Sequence, residues 1–504
     1  MSSLRRLPAW AVLLVCCAAQ FMVVLDFSIV NIALPSMRHS LGLSTAGQQW
    51  IVNAYALTFA GVLLCGGRAA DLLGKRGVFL SGLGLFTFAS LAGGISQSGG
   101  ELIAARAVQG LGGAILAPAT LSLLTTTYTD TVARSKALGA WSATAASGAA
   151  AGVLAGGLLT QLAGWRWVLF VNVPIGIALF ALAWFALEPS AGRAGTRWRD
   201  LDLGGTVTAT AGLTVLVYGI VSTDTHPWGS LQTVVVLLIG AALLGAFLVI
   251  EARLAERPLM PLSIFANRSL SAANGVAIVV GAVLFSSFFF ESLYLQQVDG
   301  YGALRAGVSF LPQALVTLAT SLSVARLVRK IGPRRILSVG PLVAAGALAW
   351  LAQLQPGSSY PADLLGPFIL IGVGIGACFV PMTLAATAGV ARSEQGLASG
   401  IVNTSRFVGG SLGLAAMATL ATSRTSGLLA GHSAVSAALR NSALTSGYDR
   451  VFLVSAALCV VAALFGAAVP GVARRRQPEP VDLASSVRAE LAEAGARVAE
   501  EQQA

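Results

Sequence analysis

Charge is what this chain lacks. Only 11% of its 504 residues are Asp, Glu, Lys or Arg, and 56% are hydrophobic. Soluble domains carry roughly 25% charged residues, so long segments here must meet something other than water. Histidine is almost absent. The three that occur, His39, His226 and His432, fall in predicted loops with no Cys or carboxylate cluster around them. The five cysteines, Cys16, Cys17, Cys65, Cys378 and Cys459, all lie in apolar segments. None has metal-ligand spacing with His, and adjacent Cys16-Cys17 is not a disulfide framework. They read as small buried hydrophobes. No Gly-rich loop ends in Lys-Ser/Thr, so ATP-driven work has no support. An enzyme, a cofactor and a resident metal therefore all lack a sequence basis, and an ion gradient is left as the energy source.

What the chain does have is apolar runs of about 20 residues, each long enough to cross a hydrocarbon core of about 30 Å. They fall at 10–34, 48–67, 78–96, 102–125, 137–160, 167–187, 203–222, 231–250, 270–297, 304–325, 336–355, 362–389, 398–421 and 451–470. This predicts an all-α polytopic membrane protein with about 14 transmembrane helices, embedded in a lipid bilayer. Residues 1–25 are charged and then apolar, like a signal peptide. The run continues to Leu34 with no small-residue cleavage site before a soluble domain, so it reads as a retained first span.

The net charge of +11 could suggest a nucleic-acid partner, but its distribution argues otherwise. About 24 of the Lys and Arg residues lie in alternate loops and tails and about 6 in the opposite set, a positive-inside bias. Arg5, Arg6 and Arg474-Arg475-Arg476 place both termini in the cytoplasm. Trp10, Trp50, Trp165, Trp167 and Trp228 lie near span ends, as an interfacial aromatic belt requires. The polar stretch after Gln477 reads as a solvated tail.

Gly67-Arg68-Ala69-Ala70-Asp71-Leu72-Leu73-Gly74-Lys75-Arg76 joins the second and third spans. Its spacing allows a close helix approach at Gly67, a carboxylate at a helix end, and a sharp turn at Gly74 followed by two cations. Arg326-Leu327-Val328-Arg329-Lys330-Ile331-Gly332-Pro333-Arg334-Arg335 joins two later spans on the same side. Aligning Gly74 with Gly332 suggests a duplicated six-span half, with two spans inserted between the copies. The implied divisions are 1–190 and 258–470 for the six-helix bundles, 191–257 for the linker with its two extra helices, and 471–504 for the tail. Transporters commonly show such duplication, with the substrate site between repeats.

Away from span ends the only acids placed within spans are Asp26 and Glu291, and the intramembrane cations are Arg106 and Arg406. Charges there are costly and usually mark ion or proton paths. If Pro35 ends the first span, Asp26 lies roughly 13 Å from its outer end; Arg106, five residues after Glu101, lies roughly 8 Å deep. They can meet, as a fixed structural pair or as a site that loads and releases a proton; alternatively Arg106 snorkels to the headgroups. Glu291, roughly 9 Å from the outer end of its span, reads as a second proton site, a cation-recognition carboxylate or an acid reaching the interface. Arg406 balances cavity charge, binds an anionic group or caps carbonyls of a neighbouring helix. Gly148, Gly152 and Gly156, with Gly157 beside the last, recur at an interval that lets another helix backbone approach, or serves generic packing.

The decapeptide resembles the signature loop between helices 2 and 3 of the major facilitator superfamily. Other stretches are similar to that family's fourteen-span drug:proton antiporters. They include Leu25-Asp26-Phe27-Ser28-Ile29-Val30-Asn31-Ile32-Ala33-Leu34-Pro35, Arg106 with Gln109, Gly110 and Gly112-Gly113, and the Gly148–Gly157 antiporter stretch. Trp165-Arg166-Trp167, Asn172-Val173-Pro174-Ile175-Gly176, Pro258-Leu259-Met260-Pro261-Leu262 and Leu304-Arg305-Ala306-Gly307 are also similar. The resemblance implies two six-helix bundles plus two central helices, proton coupling at Asp26, Arg106 and Glu291, and a cytoplasmic gate of Gly67, Asp71, Gly74, Lys75 and Arg76. It implies monomeric export of small hydrophobic compounds from a bacterial cell across its inner membrane, in exchange for protons. One departure stands out: the antiporter motif has Pro after its second Gly, where this chain has Val153. A facilitator or importer of a defined solute is the competing reading, against which Asp26 and Arg106 weigh. A non-transporting sensor is disfavoured by the absence of a sizeable soluble output domain.

Overall fold

The computed structural model describes residues 8–188, 198–224, 226–391, 394–432 and 434–470. The terminal arginines and the polar tail of the charge argument lie outside them. Among the described residues every regular element is helical: α1 (Ala9–Leu41), α2 (Thr45–Leu73), α3 (Lys75–Ile95), α4 (Gly99–Thr127), α5 (Thr131–Leu162), α6 (Trp167–Phe170), α7 (Asn172–Ala186), α8 (Leu203–Val221), α9 (Leu231–Val249), α10 (Arg268–Leu293), α11 (Ala303–Ser309), α12 (Leu311–Ile331), α13 (Pro333–Leu351), α14 (Leu365–Thr387), α15 (Gln395–Leu429) and α16 (Ala437–Ala468). Helices are what apolar runs must form in lipid, where only internal hydrogen bonds satisfy the backbone. Their starts follow capping chemistry. Ser44, Ser98, Asp130, Asp202, Ser230, Asn267 and Ser436 each accept from a backbone N–H in the first turn. Glu101 completes the turn after Ser98 by accepting from Gln97 N (2.7 Å).

Among the described residues, thirteen helical stretches are long and apolar enough to cross a membrane; α6 with α7 counts as one, as does α11 with α12. The fourteenth is α15, 35 residues long, whose apolar run is broken by Asn403, Thr404, Ser405 and Arg406. Pro35 does not end the first span, as the sequence suggested. It sits inside α1, which continues to Leu41 and closes on left-handed Gly42 (φ 61°). Asp26 is therefore near the middle of α1 rather than toward one end.

α1 packs on α5, and α4 on α2 and α3; in the second part of the chain α10 packs on α15 and α16, α13 on α14 and α16, and α12 on α14. Three seams join the two sets: α2 against α15, α5 against α11 and α12, and α1 against α10 and α11. α8 lies on α2 and α15, with Leu213 and Val217 clustered on Leu57 and Ala415. α9 packs on α8 and is the most exposed crossing, with only 11% of its apolar window buried, which leaves that surface to lipid.

The repeat in the sequence has a backbone counterpart. Gly74 (φ 101°, ψ 125°) is the single residue between α2 and α3, and Gly332 (φ 81°, ψ 160°) the single residue between α12 and α13. Both lie where a side chain is strained, so the aligned glycines make the same helix-to-helix corner.

Candidate functional site: a buried ion pair beside an aromatic seam

Asp26 and Arg106 meet. An Arg106 Nη donates to Asp26 Oδ2 at 2.6 Å, and both side chains are almost wholly buried (2% and 0% exposed). Arg106 thus turns inward and does not snorkel. The other Asp26 oxygen accepts from Gln109 Nε2 (2.7 Å) and Asn172 Nδ2 (2.8 Å). Both amides also donate to Ser90 Oγ (2.8 and 3.0 Å). Arg106 is held further by Gln109 Oε1 (2.6 Å), by the Ile51 carbonyl through Nε (3.3 Å), and by the Tyr55 ring 4.4 Å below its guanidinium. Four helices, α1, α3, α4 and α7, thus contribute side chains to one buried network, with α2 adding a carbonyl and a ring. A buried ion pair survives only when its remaining valences are met, and Gln109, Asn172 and Ser90 do this.

The network ends against the seam between the two helix sets. Phe27, the residue after Asp26, lies 4.7 Å from Phe285 of α10 and 6.0 Å from Phe407 of α15, between ring centroids. Tyr55 stacks on Phe59 (5.8 Å), and Phe59 lies tilted against Phe407 (4.5 Å). Aromatic contacts therefore run from beneath Arg106 to the far side of the seam, a connection no sequence spacing reveals.

The glycine stretch of α5 divides by face. A Cβ on Gly148, Gly152 or Gly156 would lie 2.9, 2.8 or 2.7 Å from the carbonyl oxygens of Phe21, Leu25 and Ile29, so these three form the groove that receives α1. Ser28 fills it, donating to Leu25 O (3.1 Å) and Gly148 O (3.4 Å). Gly157 faces elsewhere: a Cβ there would meet Ala303 O at 2.7 Å and Leu304 Cα at 2.9 Å, in the other helix set. Gly307 packs against the Val153 carbonyl from the opposite side. The backbone of Val153 is thus part of the seam, and its side chain is buried. Nearby, Leu304 N donates to Gln161 Oε1 (3.1 Å) and Gln296 Nε2 to Ile32 O (3.2 Å), which ties the two sets together at the end away from Gly74.

The decapeptide residues lie at the Gly74 end. Asp71 Oδ1 accepts from Ser122 Oγ (3.1 Å), and Lys75 Nζ donates to Ser122 O (3.4 Å). Arg76 donates to Trp184 O (2.7 Å) and lies 5.0 Å from the Trp184 ring centroid. These contacts are all to α4 and α7. The close helix approach belongs to Gly66, where a Cβ would clash with Ala114 O; at Gly67 it would meet only Pro118 Cβ at an ordinary 3.5 Å. The expectation for Gly67 is corrected by one residue, a rotation of about 100° around the helix.

Glu291 is 1% exposed, so it does not reach the interface. Neither of its oxygens has a hydrogen bond of ordinary geometry among the described residues; Gln313 of α12 is the polar side chain beside it. Arg406 caps no carbonyl among the described residues; its guanidinium lies 5.4 and 5.5 Å from the ring centroids of Phe379 and Phe407.

A family model described as Major Facilitator Superfamily matches residues 16–414. The cephamycin export protein CmcT of Amycolatopsis lactamdurans is 41% identical over 471 residues, covering 93% of this chain and 94% of that protein. The puromycin resistance protein pur8 of Streptomyces alboniger is 42% identical over 429 residues, 84% of each. Among solved structures, the bacterial homologue of the human lysosomal transporter Spinster, inward-facing and unoccupied, superposes with a TM-score of 0.65 at 17% identity, covering 91% of this chain and 96% of that one. The chain belongs to the major facilitator superfamily and is a multi-pass membrane transporter, not an enzyme.

Proposed function

We propose that this protein exports small hydrophobic or amphipathic compounds, antibiotics among them, in exchange for protons. In this reading the bundles of residues 1–190 and 258–470 rock about the seam, with the termini in the cytoplasm and the 191–257 helices alongside. The relatives named for cephamycin export and puromycin resistance support the cargo class. The proton coupling is carried by one observation: a fully buried carboxylate paired to an arginine, whose next residue sits in the aromatic seam.

The physical logic is competition for one carboxylate. A proton on Asp26 takes the place of Arg106 as the neutralising partner. Arg106 is then freed from its anion while it still rests on Tyr55, which stacks on Phe59, itself packed against Phe407 across the seam. Loading and unloading the proton thereby biases the packing that separates two arrangements of the bundles. Glu291, equally buried and without an ion-pair partner among the described residues, is a second proton carrier on the other side of the seam. Asp71, Lys75 and Arg76, with the Gly74 corner, form part of the gate at the cytoplasmic end. The ties at Gly157, Gln161 and Gln296 lie at the opposite end, which in this reading is the outer one.

The test is transport by the purified protein in proteoliposomes, with a cephamycin and puromycin as cargo, with and without an imposed pH gradient. Proton-coupled export predicts accumulation against a concentration gradient only when the pH gradient is present. Equilibration at the same rate with and without it identifies a facilitator and removes the proposal.

A further inference from the structure

Among the described residues, one cation in the membrane interior has no counter-charge. Arg406 lies eleven residues into the 35-residue α15, roughly 17 Å from its start. Among the described residues no hydrogen bond or ion pair engages its guanidinium, whereas Asp26 is committed to Arg106, Gln109 and Asn172. Glu291 is six residues beyond Phe285 on α10, about 9 Å further along that helix, beside Gln313. An unpaired cation at this depth is costly in a protein interior. Yet Arg406 is only half-buried, although α15 is packed on α2, α8, α10, α14 and α16. Part of its side chain is therefore left uncovered by the surrounding helices. The walls near it are the rings of Phe379 and Phe407, with Phe27, Phe59 and Phe285 beyond. Asn403, one turn earlier on the same face, adds a polar group. A cation among aromatic rings, with a few convergent polar atoms, is how a pocket orients an amphipathic ligand.

We propose that Arg406 is the anion-recognition point of the transported compound, so that the preferred cargo joins an apolar or aromatic body to a carboxylate or similar oxyanion. This rests on reading the protein as an exporter of small compounds and adds the charge of its substrate. The guanidinium fork suits an oxyanion held by two parallel hydrogen bonds, while the Phe rings take the apolar body.

The experiment is equilibrium binding to the purified full chain by calorimetry, with no gradient, so that failure of proton coupling does not affect the readout. The probes are 2-naphthylacetate, its methyl ester and 2-naphthylmethylammonium, which share a ring system and differ in charge. The expected ranking for the unmodified protein is carboxylate about tenfold tighter than ester or ammonium, the scale of a charge-assisted hydrogen bond. Arg406→Gln loses about tenfold for the carboxylate and stays within about twofold for the ester, while Arg406→Lys keeps the ranking at reduced affinity. If Arg406→Gln does not fold, the ranking on the unmodified protein and on Arg406→Lys still decides. Ammonium equal to or tighter than carboxylate, or an unchanged preference in Arg406→Gln, overturns the proposal. Binding is measured in phosphatidylcholine discs and again with phosphatidylglycerol added. Carboxylate affinity equal in both supports a dissolved anion; loss in the anionic discs assigns the site to a lipid headgroup and overturns the cargo reading.

Discussion

Replacing Asp26 by Asn isolates what the buried pair contributes. Asn keeps an oxygen for Gln109 and Asn172, the donors now at 2.7 and 2.8 Å. It turns an amide, or nothing, toward the Arg106 Nη that now donates to Oδ2 at 2.6 Å. Arg106 retains Gln109, the Ile51 carbonyl and the Tyr55 ring but loses its anion, and stranding one member of a buried pair costs about 3–5 kcal/mol. Arg106→Gln strands Asp26 by the same logic and at a similar cost. The double substitution leaves two neutral amides able to bond each other, for which about 1–3 kcal/mol is left to lose. The double variant should therefore be more stable than the sum of the singles predicts by at least about 3 kcal/mol. Unfolding by SDS titration in mixed micelles reads this. All five cysteines are buried, so a fluorogenic maleimide reports their exposure. Additive losses in the cycle would mean that the two charges do not stabilise each other, and the network is then mere packing.

Other outcomes follow from the same geometry. Gly152→Val should destabilise the fold by about 1–3 kcal/mol or more by forcing α1 off α5, whereas Gly157→Val should open the seam to α11; maleimide labelling of a Leu304→Cys reporter should rise in the second variant and not in the first. Gly74→Ala places a side chain at φ 101° and should cost about 1 kcal/mol, with Gly332→Ala costing a similar amount if the two corners are equivalent. Asp299, just past the end of the span that begins with α10, has its carboxyl pushed up to about 6 by burial, although Tyr294 and Arg305 beside it favour the charged form. The folded state thus binds the proton more tightly than the unfolded chain, so stability should fall as pH rises from about 4 to 6. Asp299→Asn should flatten the melting temperature across that window; an unchanged slope assigns the dependence to another group.

Much of this architecture was legible because membrane sequences obey strong constraints. Fourteen apolar runs could be read as helices since lipid allows little else, and Asp26 and Arg106 stood out because ionised groups there are so rare. Of their partners, Gln109 and Asn172 stood in stretches similar to the family, but nothing in the sequence linked them or Ser90 to Asp26. Asn172, Ser90 and Gln109 are uncharged residues of common type on α7, α3 and α4; the packing of four helices brings the two amides to Asp26 and Ser90 to the amides. Gly157 looked like one more member of a helix-packing stripe, yet adjacent positions on a helix face directions about 100° apart; Gly156 meets α1 and Gly157 meets α11. The same rotation displaced the close approach from Gly67 to Gly66. Pro35 misled because a proline often stops a helix, whereas α1 continues through it to Gly42. Phe407 carried no signal, since a single Phe among 21 becomes special only by standing between Phe27, Phe59 and Phe285.

The central claim is that Asp26 exchanges a proton as the transporter changes shape, and separating exchange from gradient-driven transport tests it most directly. In proteoliposomes, Asp26→Asn should still carry cargo in counterflow, which needs only the binding site and its reorientation. It should lose accumulation driven by an imposed pH gradient, with no cargo-dependent proton movement reported by an entrapped pH dye. Gradient-driven accumulation at the unmodified rate in Asp26→Asn, with cargo-dependent proton movement intact, would contradict the account and move the coupling to another group, Glu291 first.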